Sequence, residues 1–262
     1  MRPVPEPLLE VLKVSKVFDG VSALDSVSFE VRPGEILAII GPNGAGKTTL
    51  FNLVSRVFPL SAGDLRLQGI SICHMPAHRI ATLGIARTFQ NLQVFGHMTV
   101  LENVMVGCHI QGRAEMLAAA VRARSAKAEE ARLTARSSDI LHTVGLEDRA
   151  DELAANLPVG QQRLLEIGRA IAMDPKLLLL DEPAAGLTTR ETTTLCHLVQ
   201  RVRDELGLTV ALIEHDMSMV MGISDRVVVL DHGQKIADAS PNEVQNDAKV
   251  IAAYLGEDAQ EA

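Results

Sequence analysis

No apolar run in the 262-residue chain is long enough to span a membrane. The longest blocks, such as Ile36 to Ile40 and Leu177 to Leu180, fall far short of the roughly 20 residues a spanning helix requires. A role at a membrane is therefore expected to depend on a partner. Cysteine is scarce, and Cys73, Cys108 and Cys196 form no C-x-x-C pair and have no histidine at ligand spacing. That excludes a disulfide framework and a cysteine-built zinc site, leaving small apolar fillers expected in a reducing compartment. Positive charge is in deficit, with 25 lysines and arginines against 33 acidic residues and a formal net charge of -8. Such a balance opposes broad attraction to nucleic acid. The opening Met1-Arg2-Pro3-Val4-Pro5-Glu6-Pro7 lacks the apolar core of a signal peptide and reads as a loose lead-in.

What is present centres on Gly41-Pro42-Asn43-Gly44-Ala45-Gly46-Lys47-Thr48-Thr49, which satisfies the phosphate-binding pattern G-x-x-x-x-G-K-[ST]. It follows an all-apolar run, Ile36 to Ile40, of the kind a parallel sheet covers on both faces. It precedes a helix expected over Lys47 to Val57, with Leu50, Leu53, Val54 and Val57 on its inner side. Glycines let such a loop turn tightly with its N–H groups bare, and these converge on phosphate oxygens. The helix N-terminus and Lys47 add positive charge at the same point, and the Thr48 hydroxyl suits a Mg2+ shared with a nucleotide. A second buried run, Leu177-Leu178-Leu179-Leu180, ends on Asp181-Glu182. In a chain that carries a phosphate loop, the first acid suits Mg2+ and the second suits positioning the water that attacks a γ-phosphate.

The remaining pattern alternates strands and helices. Leu8 to Val14 and Ser26 to Val31 read as antiparallel strands at a sheet edge, with Phe18 in their connection as either a core plug or an adenine-stacking face. A short strand over Leu65 to Leu67 and a helix near Pro76 to Thr82 lead to Gln90, which closes a strand-like stretch. Its amide suits a solvent-facing role or a bond to a metal or its water. Thr99 to Cys108 and Arg113 to Thr143 form a helical insertion ended by Gly145. There Arg113, Arg122, Arg124, Lys127, Arg132 and Arg136 interleave with Glu115, Glu129 and Glu130, a solvated face or one for anionic headgroups. Gly160 precedes another amphipathic helix, with Leu164, Ile167, Gly168 and Ile171 on one side, and is a second anion seat. Arg190 to Leu206 is a helix stopped by Gly207, with Leu195, Leu198, Val199, Val202 and Leu206 inward. Thr209 to Ile213 is a strand, and His215 emerges after it on the same sheet edge as Asp181 and the phosphate loop. A hairpin over Val227 to Asp238, turning at His232-Gly233, and two short helices complete the chain.

These stretches, in this order, resemble the ATP-binding subunits of ABC transporters from about Leu8 to Gly256. Gly41 to Thr49 resembles the Walker A segment, Gln90 the Q-loop, Leu157 to Gln161 the signature motif, Leu177 to Glu182 Walker B and His215 the switch histidine. The resemblance implies an α/β fold with a P-loop NTPase (RecA-like) core over 8–90 and 159–256, an antiparallel β edge subdomain, an inserted α-helical subdomain over 91–158 and a tail over 257–262. It implies ATP and Mg2+, with Glu182, His215 and Lys47 in catalysis and Thr48, Gln90 and Asp181 at the metal. Nucleotide contacts are implied for Phe18, for Gly41 through Thr49, for Gln90, and for Gly160 and Gln161 across a pair of subunits. Implied partners are a second ATPase subunit, identical or not, integral-membrane permease subunits and, indirectly, a substrate-binding protein; the chain itself is implied to lie peripherally at the cytoplasmic face of the inner membrane.

Finer phrases, among them Arg87-Thr88-Phe89-Gln90, Ile213-Glu214-His215-Asp216-Met217 and Ala253-Tyr254-Leu255-Gly256, are similar to the larger ATPase of the high-affinity branched-chain amino acid importer. Urea, amide and lipopolysaccharide systems share parts of this wording. Further alternatives are a soluble ATPase of the same superfamily acting on nucleic acid or ribosomes, and a non-hydrolysing nucleotide sensor. The chain departs from the family in two places. Leu157-Pro158-Val159-Gly160-Gln161 stands for L-S-G-G-Q, without the serine hydroxyl and with one glycine, and Thr188 stands where the D-loop usually has aspartate or asparagine.

Overall fold

A computed structural model describes residues 6–109 and 123–258. Arg113, Glu115, Arg122 and most of the acidic tail lie outside the described residues, as do the first five positions; the side chains of Arg124, Lys127 and Glu129 are likewise undescribed.

Strand β3 (Ile36–Ile40) is the centre of the molecule, and the reason is compositional. All five of its residues are buried, so it must be covered on both faces. Ile36, Ala38 and Ile40 enter one core and Leu37 and Ile39 the other, the period-two division of a pleated strand. Strands β7 (Leu177–Asp181) and β8 (Thr209–Ile213) are buried in the same way. With β6 (Ile85–Arg87), β9 (Arg226–Asp231) and β10 (Gln234–Ala239) they make a six-stranded sheet ordered β10-β9-β3-β8-β7-β6. Its ladders are parallel except for the β9–β10 hairpin. Each large apolar side chain so buried contributes about 1.5–3 kcal/mol.

The strands β1 (Leu9–Phe18) and β2 (Val21–Val31) are longer than the sequence predicts and do not edge this sheet. With β4 (Ala62–Leu67) and β5 (Ile70–Ser71) they form a separate antiparallel sheet, β2-β1-β4-β5. The cause is that β4 takes the second edge of β1, Leu9 opposing Leu67. Phe18 is accordingly the last residue of β1 and not part of a connection. This sheet and helix α1 (Lys47–Val54) share one core with the odd face of the main sheet. Helix α1 stops short of Val57, because Arg56 takes φ 58° and Val57 N turns back to Asn52 O at 2.8 Å, leaving Val57 exposed.

After α2 (Ala77–Thr82) and β6, helices α3 (Val100–His109), α4 (Ala123–Val144) and α5 (Val159–Ala172) pack together through Val104, Cys108, Ile140, Leu141, Val144 and Leu165. On α5 the buried side runs through Leu165, Ile167, Gly168 and Ile171, with Leu164 only partly covered. Helix α6 (Thr189–Leu206) begins with a capping box of Thr188 and Glu191 and ends at Gly207 with φ 67°. Leu206, read as inward, is exposed in its last turn, while Leu195, Leu198, Val199 and Val202 are buried. Of the cysteines only Cys108 is fully buried; Cys73 and Cys196 are partly covered. Helices α7 (Met217–Ile223), α8 (Pro241–Gln245) and α9 (Ala248–Asp258) close the described chain. No helix of the described residues is long and apolar enough to cross a membrane.

Candidate functional site

The loop between β3 and α1 is possible only with glycine at two points. A Cβ on Gly41, at φ 148°, would lie 2.0 Å from the carbonyl oxygen of Leu230 in β9. One on Gly46, at φ 100°, would lie 2.5 Å from that of Ala23 in β2. The backbone is thus wedged between both sheets. Lys47 is buried, and its Nζ donates to the carbonyls of Gly41 at 2.6 Å and Pro42 at 2.7 Å, bracing the loop from within. Asn43 to Thr49 line a cavity of about 190 Å³ with Ala23, Glu182 and His215. The first N–H groups of α1 and its dipole face that cavity, which makes it an anion seat.

Across the cavity, β7 delivers its two acids differently. Glu182 has φ 48°, a left-handed conformation that costs a residue with a side chain about 1–2 kcal/mol. Its N–H is held by Ile213 O at 2.9 Å. The turn aims its carboxylate at two other segments: Oε1 lies 3.0 Å from Nε2 of His215, and Oε2 accepts from Nε2 of Gln90 at 2.7 Å. Three residues predicted from separate stretches therefore meet at one carboxylate. Asp181 instead is buried against Arg87, whose Nη2 donates to its Oδ2 at 2.7 Å. Arg87 Nη1 also donates to Asn52 Oδ1 and Ser55 Oγ, both at 2.8 Å.

Asp181, Thr48 and Gln90 line a second cleft of about 700 Å³ with Arg87, Phe89 and Phe95. Their donor set is all oxygen, one carboxylate with one hydroxyl and one amide, and this fits Mg2+, which takes few protein ligands beside phosphate and water. Among the described residues no cluster of three acids, histidines or cysteines offers a metal cage.

Two residues that matter here occur in the phrases that carry the family resemblance, but no role of their own is legible in the sequence. Glu214 is buried, yet its carboxylate accepts from Ala184 N at 2.7 Å, His215 N at 3.0 Å and Asp216 N at 3.4 Å. It ties the turn after Glu182 to the turn carrying His215. Burial pushes its carboxyl above the usual range, and the three N–H groups pull it back. Arg87 is the other. It ends the short strand β6, and nothing local in the sequence shows that its partner is Asp181.

Phe18 is outside both cavities. Its ring meets Phe58 edge-on at 5.4 Å, and Lys16 Nζ stands 4.6 Å from its centroid. Gly160 and Gln161 are also outside them, in the first turn of α5, where N–H groups have no helical partner. Pro158 gives that helix no side-chain cap.

A phosphate loop at the end of a central parallel strand, with a histidine after the neighbouring strand β8 and acids at the end of β7 one strand further out, defines a nucleotide-binding cassette of the P-loop class. Residues 24–185 match the model of the ABC transporter family, and residues 234–260 that of the branched-chain amino acid ATP-binding cassette transporter. The chain is 40% identical over 252 residues to the high-affinity branched-chain amino acid transport ATP-binding protein LivG of Escherichia coli, covering 96% of this chain and 99% of that one. It is 41% identical over 251 residues to BraF of Pseudomonas aeruginosa, a protein with the same description, covering 96% and 98%. A nucleotide-free ATP-binding cassette from an ABC transporter superposes with a TM-score of 0.82 at 32% identity, covering 95% of this chain and 98% of that one. A cassette in its ADP conformation gives the same TM-score at 30% identity, covering 95% and 99%. The chain belongs to the ABC transporter family and is one of its ATPase cassettes.

Proposed function

We propose that the chain hydrolyses ATP to power an importer of branched-chain amino acids, working as half of a nucleotide-sandwiched pair beneath permease subunits. The observation that carries the cargo is the end-to-end likeness to LivG and BraF, together with the C-terminal match over residues 234–260. In this reading ATP lies on Gly41 to Thr49 of one subunit and under Gly160 and Gln161 of another. Lys47 and the loop amides hold its phosphates. Glu182, fixed by His215 and Gln90, orients the attacking water and takes its proton. Thr48, Asp181 and Gln90 would hold Mg2+, which would supply charge neutralisation at the triphosphate. Loss of the γ-phosphate removes the charge that bridges the subunits and lets them part.

The subunit sits at the cytoplasmic face of the inner membrane, and cargo specificity lies in the permease and a substrate-binding protein. The cleft between Gln90 and Phe95 supports permease docking there, because Phe89 and Phe95 leave 46% and 47% of their surface exposed beside it. The experiment is uptake of labelled leucine, urea and short amides into vesicles holding this chain with its permease and binding protein. ATP-driven leucine accumulation is expected; accumulation of urea or amide without leucine would reassign the cargo.

A further inference from the structure

Helix α5 does more than present Gly160 and Gln161. Three residues past Gly160, Arg163 is only 3% exposed and its ion-pair partner Glu166 only 2%, with 2.8 Å between them. A pair this dry is seldom a source of stability, since apolar side chains of similar volume fill such a space as well or better. Its geometry indicates another use. Arg163 Nη1 donates to Phe89 O and Nη2 to Gln90 O, both at 3.0 Å. Glu166 Oε1 faces Phe89 N at 3.5 Å.

The segment so held has lost its sheet partner, because the last ladder bond on this edge is Thr88 N to Leu179 O. A rigid two-pronged guanidinium is suited to fixing two consecutive carbonyls, and lysine lacks that fork. Beyond the backbone, the Gln90 side chain reaches Glu182 at 2.7 Å and Glu182 reaches His215 at 3.0 Å. Arg163, in the second turn of α5, is thus linked through the backbone and side chain of Gln90 to the Glu182 carboxylate. Glu166 is the acid facing Arg163, and Arg169 is the further cation near Glu166.

We propose that Arg163 is a positioning residue that locks Gln90 to the signature helix, so that engagement of Gly160 and Gln161 with a partner's nucleotide sets the geometry of Glu182 in the subunit's own site. This rests on the reading of Gly160 and Gln161 as a half-site. One subunit's two half-sites are then read together, and hydrolysis is tied to closure of the pair.

The test is ATP turnover by the purified complex with Arg163→Met/Glu166→Met, Arg163→Lys and Gln161→Ala. The double variant removes both charges, so it keeps its fold and melts within a few degrees of the parent. Its kcat is expected to fall about tenfold or more, its KM for ATP to stay within about twofold, and its cooperativity in ATP to be lost. Arg163→Lys keeps an ion pair but not the fork, and is expected to lose kcat while retaining its melting temperature. A purely structural role would move melting and turnover together. Parental kcat and cooperativity in a folded double variant would overturn the role of Arg163 alone; if that variant does not fold, parental values in Arg163→Lys decide the same question. Unchanged turnover in Gln161→Ala, which leaves Gln90 untouched, would remove the half-site and the proposal with it.

Discussion

Glu182 and His215, 33 residues apart, are joined at 3.0 Å between Oε1 and Nε2. The carboxylate is set by its own strained turn and by Gln90 on its other oxygen, so its position does not depend on the ring alone. Glu182→Gln preserves size and keeps one accepting oxygen for Gln90, while turning the other into a donor and removing the proposed proton acceptor. ATP binding is expected to persist while kcat drops about 100-fold or more, the usual effect of removing a general base. His215→Ala, which loses an orienting contact only, is expected to cost less than Glu182→Gln. Steady-state turnover with a parallel nucleotide-binding titration checks both, and a Glu182→Gln variant with parental kcat would exclude Glu182 as the base.

Glu214 carries a pH prediction. Its folded-state carboxyl is raised by burial above an unfolded value of about 4.3. A raised acid binds protons more tightly in the native state, so its contribution is fully present below the unfolded value and is lost as pH rises through the folded one. The neutral variant Glu214→Gln lacks that dependence, though it also loses an acceptor for the N–H groups of Ala184, His215 and Asp216. The melting temperature of the parent minus that of the variant is therefore expected to shrink as pH is raised from about 4 towards neutrality. Thermal melts of both proteins in dilute solution test this. A difference that grows with pH would mean that the three amides, and not burial, dominate the group.

Two glycines of the phosphate loop separate conformation from crowding. Gly44, at φ 75°, has nothing within 4 Å of an added Cβ, whereas Gly41 has the Leu230 carbonyl at 2.0 Å. Gly44→Ala should cost about 1 kcal/mol of left-handed strain. Gly41→Ala must push two backbone segments apart, which costs about 1–3 kcal/mol or more and opens the loop from β9. At roughly 2–4 °C per kcal/mol for a chain near this size, calorimetry resolves the two. Equal melting temperatures would show that β9 yields freely to the loop.

How much of this was legible follows from which contacts are local. The phosphate loop, the acids ending β7 and the address of His215 were readable because each lies where a strand stops, and a parallel sheet brings such ends to one edge. The Arg87–Asp181 pair was not, because it needs β6 beside β7 across 94 residues, an adjacency that chain order does not supply. Glu214 was missed for a related reason: a buried acid with only backbone partners leaves no periodic or paired signal. The edge-strand expectation for β1 failed on partner choice, since alternation identifies a strand but not which sheet takes its second edge. The short C-terminal end of α1 failed on a single residue, Arg56, whose left-handed backbone no propensity marks.

The glycine kept in the signature segment and the D-loop position Thr188 meet through one side chain, Glu191. An added Cβ on Gly160 would lie 2.3 Å from Oε1 of Glu191, and the other carboxylate oxygen of Glu191 accepts from Thr188 N at 2.9 Å and Thr188 Oγ1 at 2.7 Å. A side chain at the remaining signature glycine would therefore have to displace the Glu191 carboxylate that caps the helix at the D-loop position. Gly160→Ala should displace the Glu191 side chain and cost about the 1 kcal/mol of a lost cap. In a Glu191→Ala background that cap is already absent and the space is open, so the same methyl should cost less. The interaction term of the cycle is expected to exceed about 0.5 kcal/mol in urea unfolding. Additive costs would mean that Glu191 moves aside freely, and that the glycine answers only to what lies over the first turn of α5.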